Sequence, residues 1–274
     1  MNKGLPLAIM LTSTRRRPRV NEPGNETGRL KDKSALVTGA SSGLGRATAI
    51  SLARAGADVA LVARSAEELE SAKEEVSKTG CRALTLPTDL AREEETSATV
   101  ERTVEEFGRI DVLVNAAGTD VPGTVEELAV EGWDRTLAVN LRAPFLLSKA
   151  AFPRMREAGG GLIVNVSSVA GKKGWANASA YCASKFGLTG FTQALADEGK
   201  EHRIRAIVLY PGAMATNWGT FSPEERQEGE SDEVPSTRVL PPERVAELIA
   251  WLAASPPESV LTEGIVLPIE EGLP

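Results

Sequence analysis

The sequence predicts a single doubly wound α/β domain, built on a seven-stranded, mostly parallel sheet with helices on both faces. From Ser34 onward, short apolar runs alternate with longer amphipathic stretches, which is typical of repeated strand and helix units. Most of the apolar runs lack polar alternation, as expected for strands covered on both faces. The chain has 274 residues, 42% of them hydrophobic, so one domain can form a core without disulfides.

Seven short runs rich in apolar residues are the predicted strands. They are Ala35–Val37, Val59–Val62, Ala83–Leu86, Val112–Val114, Leu162–Val166, Ile204–Leu209 and Ile265–Leu267. The stretches around them place apolar residues at three- and four-residue spacing, which predicts helices. These helices are Gly43–Ala55, Ala66–Lys78, Arg92–Phe107, Trp133–Arg156, Ser179–Glu198 and Pro242–Ala253.

Two segments do not follow this alternation. Residues 1–30 are rich in Arg, Pro, Asn and Gly, which predicts a flexible N-terminal leader before a domain at 31–274. The apolar run Leu5–Leu11 is too short for a secretion signal. Residues 213–240 have no sustained periodicity, and a loop of that length inside a domain is usually functional. We expect it to be a lid over the carboxyl ends of the strands, where open α/β sheets bind ligands.

Charge and cysteine content exclude several classes of protein. The net charge of −7, from 31 basic and 38 acidic side chains, is spread along the chain, which argues against a nucleic-acid-binding surface. No apolar run reaches the roughly 18 residues that a membrane span needs. Cys81 and Cys182 cannot form a disulfide framework or a Cys-rich zinc site, and no metal-ligand spacing occurs. We expect a protein of the reducing cytoplasm, without membrane, nucleic-acid or metal partners.

The glycine-rich segment Thr38-Gly39-Ala40-Ser41-Ser42-Gly43-Leu44-Gly45 follows the first predicted strand and opens the first helix. Glycines let the backbone turn sharply beside a pyrophosphate, and the start of a helix offers unpaired N–H groups and a positive dipole end. The segment therefore predicts a dinucleotide site, against the alternative of a connection that binds nothing. The expected contacts are Gly39, Ser41, Ser42, Gly43, Leu44 and Gly45.

The end of the second strand bears on the choice of dinucleotide. A free ribose 2′-hydroxyl calls for Asp or Glu at this point, whereas a 2′-phosphate calls for a cation. The residues here are Ala63 and Arg64, and Asp58 lies at the wrong end of the strand. NADP is therefore favoured over NAD, the alternative being that Arg64 is a solvated charge at the start of a helix.

Three patterns occur together in one order: the glycine segment, Asn115-Ala116-Ala117-Gly118, and Tyr181-x-x-x-Lys185 preceded thirteen positions earlier by Ser168. The combination resembles the short-chain dehydrogenase/reductase family over about residues 32–270, including 3-oxoacyl carrier-protein reductases and carbonyl or polyol dehydrogenases. The resemblance implies a Rossmann domain and a homo-oligomer, a tetramer or dimer, formed through the helices at Trp133–Arg156 and Ser179–Glu198. It further implies cofactor contacts at Asp89, Leu90, Asn115, Ala116, Gly118, Tyr181, Lys185, Pro211, Gly212 and Thr216.

The sequence departs from the family pattern at two places. Ala116 stands where the family often has Asn, which we regard as tolerated. Glu270-Glu271-Gly272 stands where the family often has a glycine pair, so the contacts of the tail are in question.

The chemistry can be argued from the residues themselves. Hydride transfer between a nicotinamide and a carbonyl carbon requires a group that supplies or accepts a proton at the oxygen. Tyr181 has an unperturbed pKa of about 10. Lys185, four positions later on the same helix face, would lower that pKa by stabilising the phenolate. Ser168 follows the fifth strand and can hydrogen-bond the substrate oxygen, whereas Ser167 should point to the opposite face. The resemblance adds Asn140, as holder of a water that links Lys185 to solvent.

Several of these residue patterns have an alternative interpretation. A Tyr and a Lys four apart are often a packed ring beside a surface cation, and the chain could instead be a catalytically silent NADP-binding regulator that senses redox state. The large residues Trp175, Val121, Trp218 and Phe221 could line a substrate pocket or simply pack.

The remaining candidate residues have simpler interpretations. Lys172 and Lys173 could attract an acidic substrate, although a solvated loop is the simpler reading. Tyr210 is expected in the core or at the rim of the cofactor pocket, His202 at the surface, and Cys182 as a small buried apolar residue.

Overall fold

A seven-stranded parallel sheet forms the centre of the protein, in the order β3-β2-β1-β4-β5-β6-β7. The computed structural model describes residues 28–215 and 239–271. Every neighbouring pair of strands is parallel, so the predicted fold class is confirmed. The strands are β1 (Ser34–Thr38), β2 (Asp58–Ala63), β3 (Ala83–Pro87), β4 (Val112–Asn115), β5 (Gly161–Val166), β6 (Ile204–Pro211) and β7 (Glu263–Val266).

Helices cover both faces of the sheet. The helices are α1 (Gly43–Arg54), α2 (Ala66–Ser77), α3 (Glu93–Phe107), α4 (Val130–Leu137), α5 (Ala143–Glu157), α6 (Ser179–Gly199) and α7 (Pro242–Ala254). One apolar core joins the sheet to α1, α2 and α7, and a second joins it to α3, α5 and α6. Within β1, Ala35 and Val37 enter the first core and Leu36 the second, which explains why the strands read as continuous apolar runs. None of the described helices is both long and apolar enough to cross a bilayer.

Three predicted boundaries differ from the structure. The helix predicted at Trp133–Arg156 begins at Val130 and is interrupted by a π-helical turn at Ala138–Arg142. A π turn adds one residue between two segments that each keep ordinary helical spacing, so a pattern of three- and four-residue spacing does not mark it. Strand β7 begins at Glu263, two residues before the predicted start. Leu30, which we assigned to the leader, is buried and hydrogen-bonds the carbonyl of Ala55 through its N–H.

The strand order places the candidate site. Successive strands run outward from β1 in one direction and from β4 in the other, and β1 and β4 are neighbours. Ligands bind open α/β sheets at such a switch point, beyond the carboxyl ends of the strands. Thr38 and Asn115 end these two strands side by side. The Thr38 hydroxyl accepts the backbone N–H groups of Ala116 and Ala117, both at 3.1 Å, which fixes the loop after β4.

An ion-pair cluster stabilises the opposite end of the same two strands. Asp111, just before β4, accepts hydrogen bonds from Arg109 at 2.6 Å, from the Lys33 ammonium at 2.9 Å and from the Ser34 backbone N–H at 3.1 Å. Burial alone would raise the pKa of Asp111, but these three donors outweigh it and hold the pKa below its ordinary value. The cluster therefore stabilises the contact between β1 and β4 whenever the carboxylate is charged.

We predict that Asp111→Asn lowers the free energy of unfolding by about 1–3 kcal/mol at pH 7, because two cations and one N–H lose a charged acceptor. A lowered pKa stabilises the folded state above the ordinary carboxyl pKa of about 4, and this contribution is lost as pH falls through the folded-state value. Denaturant unfolding at several pH values should therefore show a difference that shrinks in acid. Glu101→Gln, which removes an exposed pair with Arg154, should stay close to wild type. An equal loss of stability in both variants would contradict the prediction.

Candidate active site

The glycine turn lies between β1 and α1 and packs closely on neighbouring backbone. Gly39 has a φ of 70°, and a Cβ there would lie 3.0 Å from the backbone of Ala117. A Cβ on Gly45 would collide with the carbonyl oxygen of Gly39. Ser42 caps α1 in an extended conformation without a side-chain capping bond, and the first turn of α1 has no acidic residue. The first N–H groups of α1 therefore remain available to an anion, which fits the pyrophosphate of a dinucleotide.

Arg64 and Asp89 lie together at the adenosine end of the predicted site. Arg64 is exposed directly after β2. A 2.9 Å hydrogen bond from Arg135 holds the pKa of Asp89 below its ordinary value, and the charge of Arg64 adds to the effect. Leu90, the next residue, is buried. Sequence reasoning missed Arg135, because only the packing of α4 brings it to this loop.

A second missed cation, Arg46, lies beside the glycine turn. Its guanidinium donates to the Ser41 carbonyl at 3.4 Å and reaches across to the Ser71 hydroxyl at 2.8 Å on α2. It also forms an ion pair with Glu75. Arg46 thus links the turn to α2, but its charge is already balanced by a carboxylate.

A chain of buried amides joins the sheet to α6. The Asn115 side-chain amide donates to the Asn165 side-chain oxygen at 2.7 Å, and the Asn165 amide donates to the Thr192 hydroxyl at 2.8 Å. The Asn115 side-chain oxygen is buried, with no hydrogen-bond partner in the described part of the chain. Because Thr192 is on α6, this chain fixes the height of α6 relative to β4 and β5. Ala116 and Gly118 continue the loop from Asn115 along the edge of the switch point.

Ser168, Tyr181 and Lys185 lie together at the carboxyl end of β5. Ser168 hydrogen-bonds the Tyr181 phenol, and its oxygen also accepts the Ala170 N–H at 3.2 Å. The Lys185 ammonium lies 5.5 Å from the centre of the Tyr181 ring. Ser167 points away and donates to the Lys185 carbonyl, as its place in the strand alternation predicts. The grouping expected from the spacing of these residues is thus present in the structure.

The pKa of Tyr181 differs from the sequence expectation. Burial raises this pKa above its ordinary value, and the Ser168 hydrogen bond only partly opposes the rise. We expected Lys185 to lower it. Instead, the Lys185 ammonium donates to the Val166 carbonyl at 2.9 Å rather than to the phenol. In the protein alone, loss of hydration therefore outweighs the lysine charge.

Lys185 itself is a buried cation with few partners. Burial lowers the pKa of Lys185 to about 8. An ammonium has three donors, and the Val166 carbonyl is the one acceptor it has among residues 28–215 and 239–271. The two remaining donors fit a ligand rich in hydroxyl groups, such as the ribose of a dinucleotide.

Asn140 lies in the π-helical turn and connects two loops of the site. Its side-chain oxygen accepts the Thr119 N–H at 2.8 Å, and its amide donates to the Thr119 carbonyl at 2.8 Å and the Ser184 hydroxyl at 3.0 Å. Both amide protons are therefore committed to protein atoms. A water held by Asn140 would have to donate to one of its oxygens.

The predicted nicotinamide end begins at Pro211 and Gly212, where β6 stops. The Gly212 N–H donates to the Val266 carbonyl at 2.9 Å, and the Ala213 N–H donates to the Glu271 carboxylate at 2.9 Å. The carboxylate of Glu271, one of the departures noted in the sequence, thus covers this segment and would have to shift to admit a Cβ at Gly212. Thr216, Trp218, Phe221 and most of the predicted lid lie outside the described residues.

Two loops meet at the mouth of the site. The Gly123 N–H, in the loop after β4, donates to the Asn177 carbonyl at 3.0 Å, just before α6. Trp175, in the second loop, is 48% exposed, and Val121, in the first, is half-buried. Asp120, in the first loop, is a half-buried acid that sequence reasoning did not single out.

The remaining candidates lie away from the site. Tyr210 is fully buried, with its hydroxyl 3.3 Å from Glu263 and the Lys172 ammonium 4.4 Å from the ring centre. His202 packs edge-on against Phe152, and Cys182 is buried. No group of three or more potential metal ligands occurs within the described ranges.

The chain is similar to known oxidoreductases over most of its length. The family model described as short chain dehydrogenase matches residues 33–227. An "Uncharacterized oxidoreductase" of Thermotoga maritima is 37% identical, over 88% of this chain and 96% of its own. D-threitol dehydrogenase of Mycolicibacterium smegmatis is 36% identical, over 89% of this chain and 94% of its own.

A solved structure shares the fold over most of both chains. It is a metagenomic short-chain oxidoreductase in complex with NADP, with a TM-score of 0.76 and 34% identity, covering 88% of this chain and 98% of the other. The arrangement of strands, the family match and these relatives lead to one conclusion. The chain belongs to the short chain dehydrogenase family of oxidoreductases.

Proposed function

We propose that the protein is an NADP(H)-dependent oxidoreductase that interconverts a carbonyl compound and a secondary alcohol. The observation that carries the proposal is the grouping of Ser168, Tyr181 and Lys185 beyond the carboxyl end of β5, on the same side of the sheet as the glycine turn. A proton donor, a hydrogen-bond donor and a buried cation at one point are the groups that carbonyl reduction requires.

The residues that would hold the dinucleotide follow from the geometry. The N–H groups at the start of α1 would bind the pyrophosphate, and Arg64 would bind the 2′-phosphate. Asp89 and Leu90 would border the adenine, and the Lys185 ammonium would donate to ribose hydroxyls. Asn115, Ala116, Gly118, Pro211, Gly212 and Thr216 complete the proposed set of cofactor contacts. When bound, the reduced nicotinamide supplies the hydride.

Proton transfer is the task of the protein side chains. In reduction, the Tyr181 phenol donates its proton to the carbonyl oxygen, and in oxidation the phenolate takes a proton from the alcohol. The Ser168 hydroxyl donates a hydrogen bond to the same oxygen. The raised pKa of Tyr181 keeps the phenol protonated at neutral pH, as a proton donor must be. Lys185 stabilises the phenolate after the transfer, and Asn140 holds the loop after β4 in place and provides an acceptor for a relay water.

The preference for NADP rests on charge. Arg64 is the cation directly after β2, where an acid would favour a free ribose hydroxyl. The structural relative in complex with NADP supports the same choice. NADH is expected to bind more weakly.

We also propose that the protein is a homo-oligomer, a tetramer or a dimer, formed through α4, α5 and α6. Phe145 on α5 and Phe186 on α6 are 44% and 47% exposed, which leaves large apolar rings on the outer face of these helices. Such rings favour a contact between copies of the chain.

We predict that Tyr181→Phe lowers kcat by at least about a thousandfold while NADPH binding stays close to wild type, because only the transferable proton is lost. Turnover can be followed by NADPH absorbance with a panel of ketones and with D-threitol in the reverse direction, and binding by fluorescence titration. The matched control is Tyr210→Phe, at the other tyrosine, which should retain activity. Full activity of the Tyr181→Phe variant would refute the proposal. NADPH binding by wild type without turnover of any compound would favour the regulator.

We predict that Arg64→Ala raises the KM for NADPH by roughly tenfold or more, because the 2′-phosphate loses a charge-assisted hydrogen bond. The KM for NADH should change little, since NADH lacks that phosphate. Arg54→Ala removes another exposed cation, at the end of α1, and serves as the control. An equal increase in the KM for NADPH and for NADH would show that Arg64 does not bind the 2′-phosphate.

We predict that Lys185→Met stabilises the cofactor-free protein by about 1–2 kcal/mol at pH 7 while lowering turnover at least about a hundredfold. Burial lowers the pKa of Lys185 from 10.5 to about 8, so the charged lysine destabilises the folded state below about pH 8. This penalty disappears as pH rises from about 8 to 10.5, and the advantage of Met should fade over that range. Denaturant unfolding measures the effect, with Lys78→Met as an exposed control. A destabilised Met variant at pH 7 would contradict the prediction.

A further inference from the structure

Asp120 is held in a fixed position at the mouth of the site. The residue before it, Thr119, exchanges two 2.8 Å hydrogen bonds with the side chain of Asn140. Three residues after it, Gly123 donates to the Asn177 carbonyl at 3.0 Å. The loop is therefore attached on one side to the π-helical turn and on the other to the residues that lead into α6. These bonds fix the backbone on both sides of Asp120, and the Val121 N–H donates to the Asp120 carboxylate at 2.8 Å.

The Asp120 carboxylate is half-buried but accepts a single hydrogen bond from the described residues. One oxygen accepts the N–H of the next residue, Val121, at 2.8 Å, and within the described ranges no cation or other donor bonds to it. Burial raises the pKa of Asp120, and that single bond only partly opposes the rise. Asp111 and Asp89 have arginine partners, and their pKa values are lowered. Among the described carboxyl groups with a shifted pKa, Asp120 alone has a pKa above its ordinary value.

The same carboxylate borders the reacting group. The loop of Asp120 is bonded to Asn177, four residues before Tyr181, and through Asn140 to Ser184, which donates to the Tyr181 carbonyl. Burial is the larger cause of the raised pKa of Tyr181, and the charge of Asp120 adds to it, as expected for two neighbouring side chains. The other charged group at this point is Lys185, whose ammonium is buried behind the Tyr181 ring and bonded to Val166. A half-buried charge with a single neutral partner costs free energy, and such groups are typical of binding sites.

We propose that Asp120 is a substrate-selecting residue, whose carboxylate accepts a hydrogen bond from a second hydroxyl group of the substrate, close to the carbon that is oxidised or reduced. This inference rests on the proposed function and adds a class of substrate to it: diols and hydroxyketones. A hydroxyl donor supplies the partner that the carboxylate lacks in the protein. An anionic substrate would be repelled, and an apolar one would remove more water from the charge. An ammonium would bring a second cation toward Lys185.

The test compares substrates that differ by one group. Purified full-length protein is assayed with NADP and cyclohexanol, the three positional cyclohexanediols and 2-aminocyclohexanol. We expect kcat/KM of wild type to be roughly tenfold higher for one diol than for cyclohexanol, the value of one hydrogen bond to a charged acceptor. The variant is Asp120→Asn, which has the same shape and keeps an oxygen for the Val121 N–H. The matched control is Glu126→Gln, which removes an exposed acid from the same loop.

Asp120→Asn should lose most of the preference for the diol, while Glu126→Gln should keep it. In the Asn variant kcat/KM for cyclohexanol should rise, because the charge that opposes ionisation of Tyr181 is gone. That rise separates a loss of substrate preference from a loss of folded protein, because misfolding would lower the activities on cyclohexanol and on the diol together.

Equal activity of wild type on cyclohexanol and on all the diols would overturn the assignment of Asp120 and leave the proposed function intact. So would a preference that survives in the Asn variant, a parallel loss of both activities, or a preference for the aminoalcohol over every diol. If wild type turns over none of these compounds and no ketone in the panel above, the proposed function fails, and the assignment of Asp120 fails with it.

Discussion

The buried ammonium of Lys185 is the constraint on which the candidate site depends. Its charge is removed from water with one carbonyl acceptor among the described residues, and its pKa falls accordingly. A cation in this state is unfavourable for folding but ready to interact with a phenolate or a ribose hydroxyl. The apolar cores on both faces of the sheet supply the stability that makes such a residue tolerable.

Two sets of hydrogen bonds position that lysine and its tyrosine. The chain through Asn115, Asn165 and Thr192 fixes α6 against the central strands. The bonds of Asn140 to Thr119 and Ser184 fix the other side of α6 and the loop after β4. Because the two sets act at different points of one helix, they define both its height and its rotation relative to the sheet. The position of α6 thus brings Tyr181 to Ser168 and Lys185 to Tyr181.

The acidic residues of the protein show how differently one chemical group can be used. Asp111, paired with Lys33 and Arg109, stabilises the start of β1 and β4. Asp89 is paired with Arg135, which fixes α4 against the loop after β3. Asp120 is bonded to no cation in the described structure, and its charge adds to the effect of burial on the pKa of Tyr181. The paired acids hold elements together, whereas the unpaired one borders the space where a substrate would react.

The fold class and the grouping of Ser168, Tyr181 and Lys185 could be predicted from the order of residues along the chain. Parallel strands buried on both faces must be apolar throughout, so the positions of β1, β2 and β5 could be predicted. The four-residue spacing of Tyr181 and Lys185 predicted that both lie on one face of a helix. The π-helical turn around Asn140 could not be predicted, because the segments on either side of it each keep ordinary helical spacing. The pKa of Tyr181 was also decided by tertiary structure, since burial depends on elements distant in the chain. For the same reason the importance of Arg135, Arg46 and Asp120 could not be predicted from the sequence. The groups that surround each of these side chains come from segments distant in the chain.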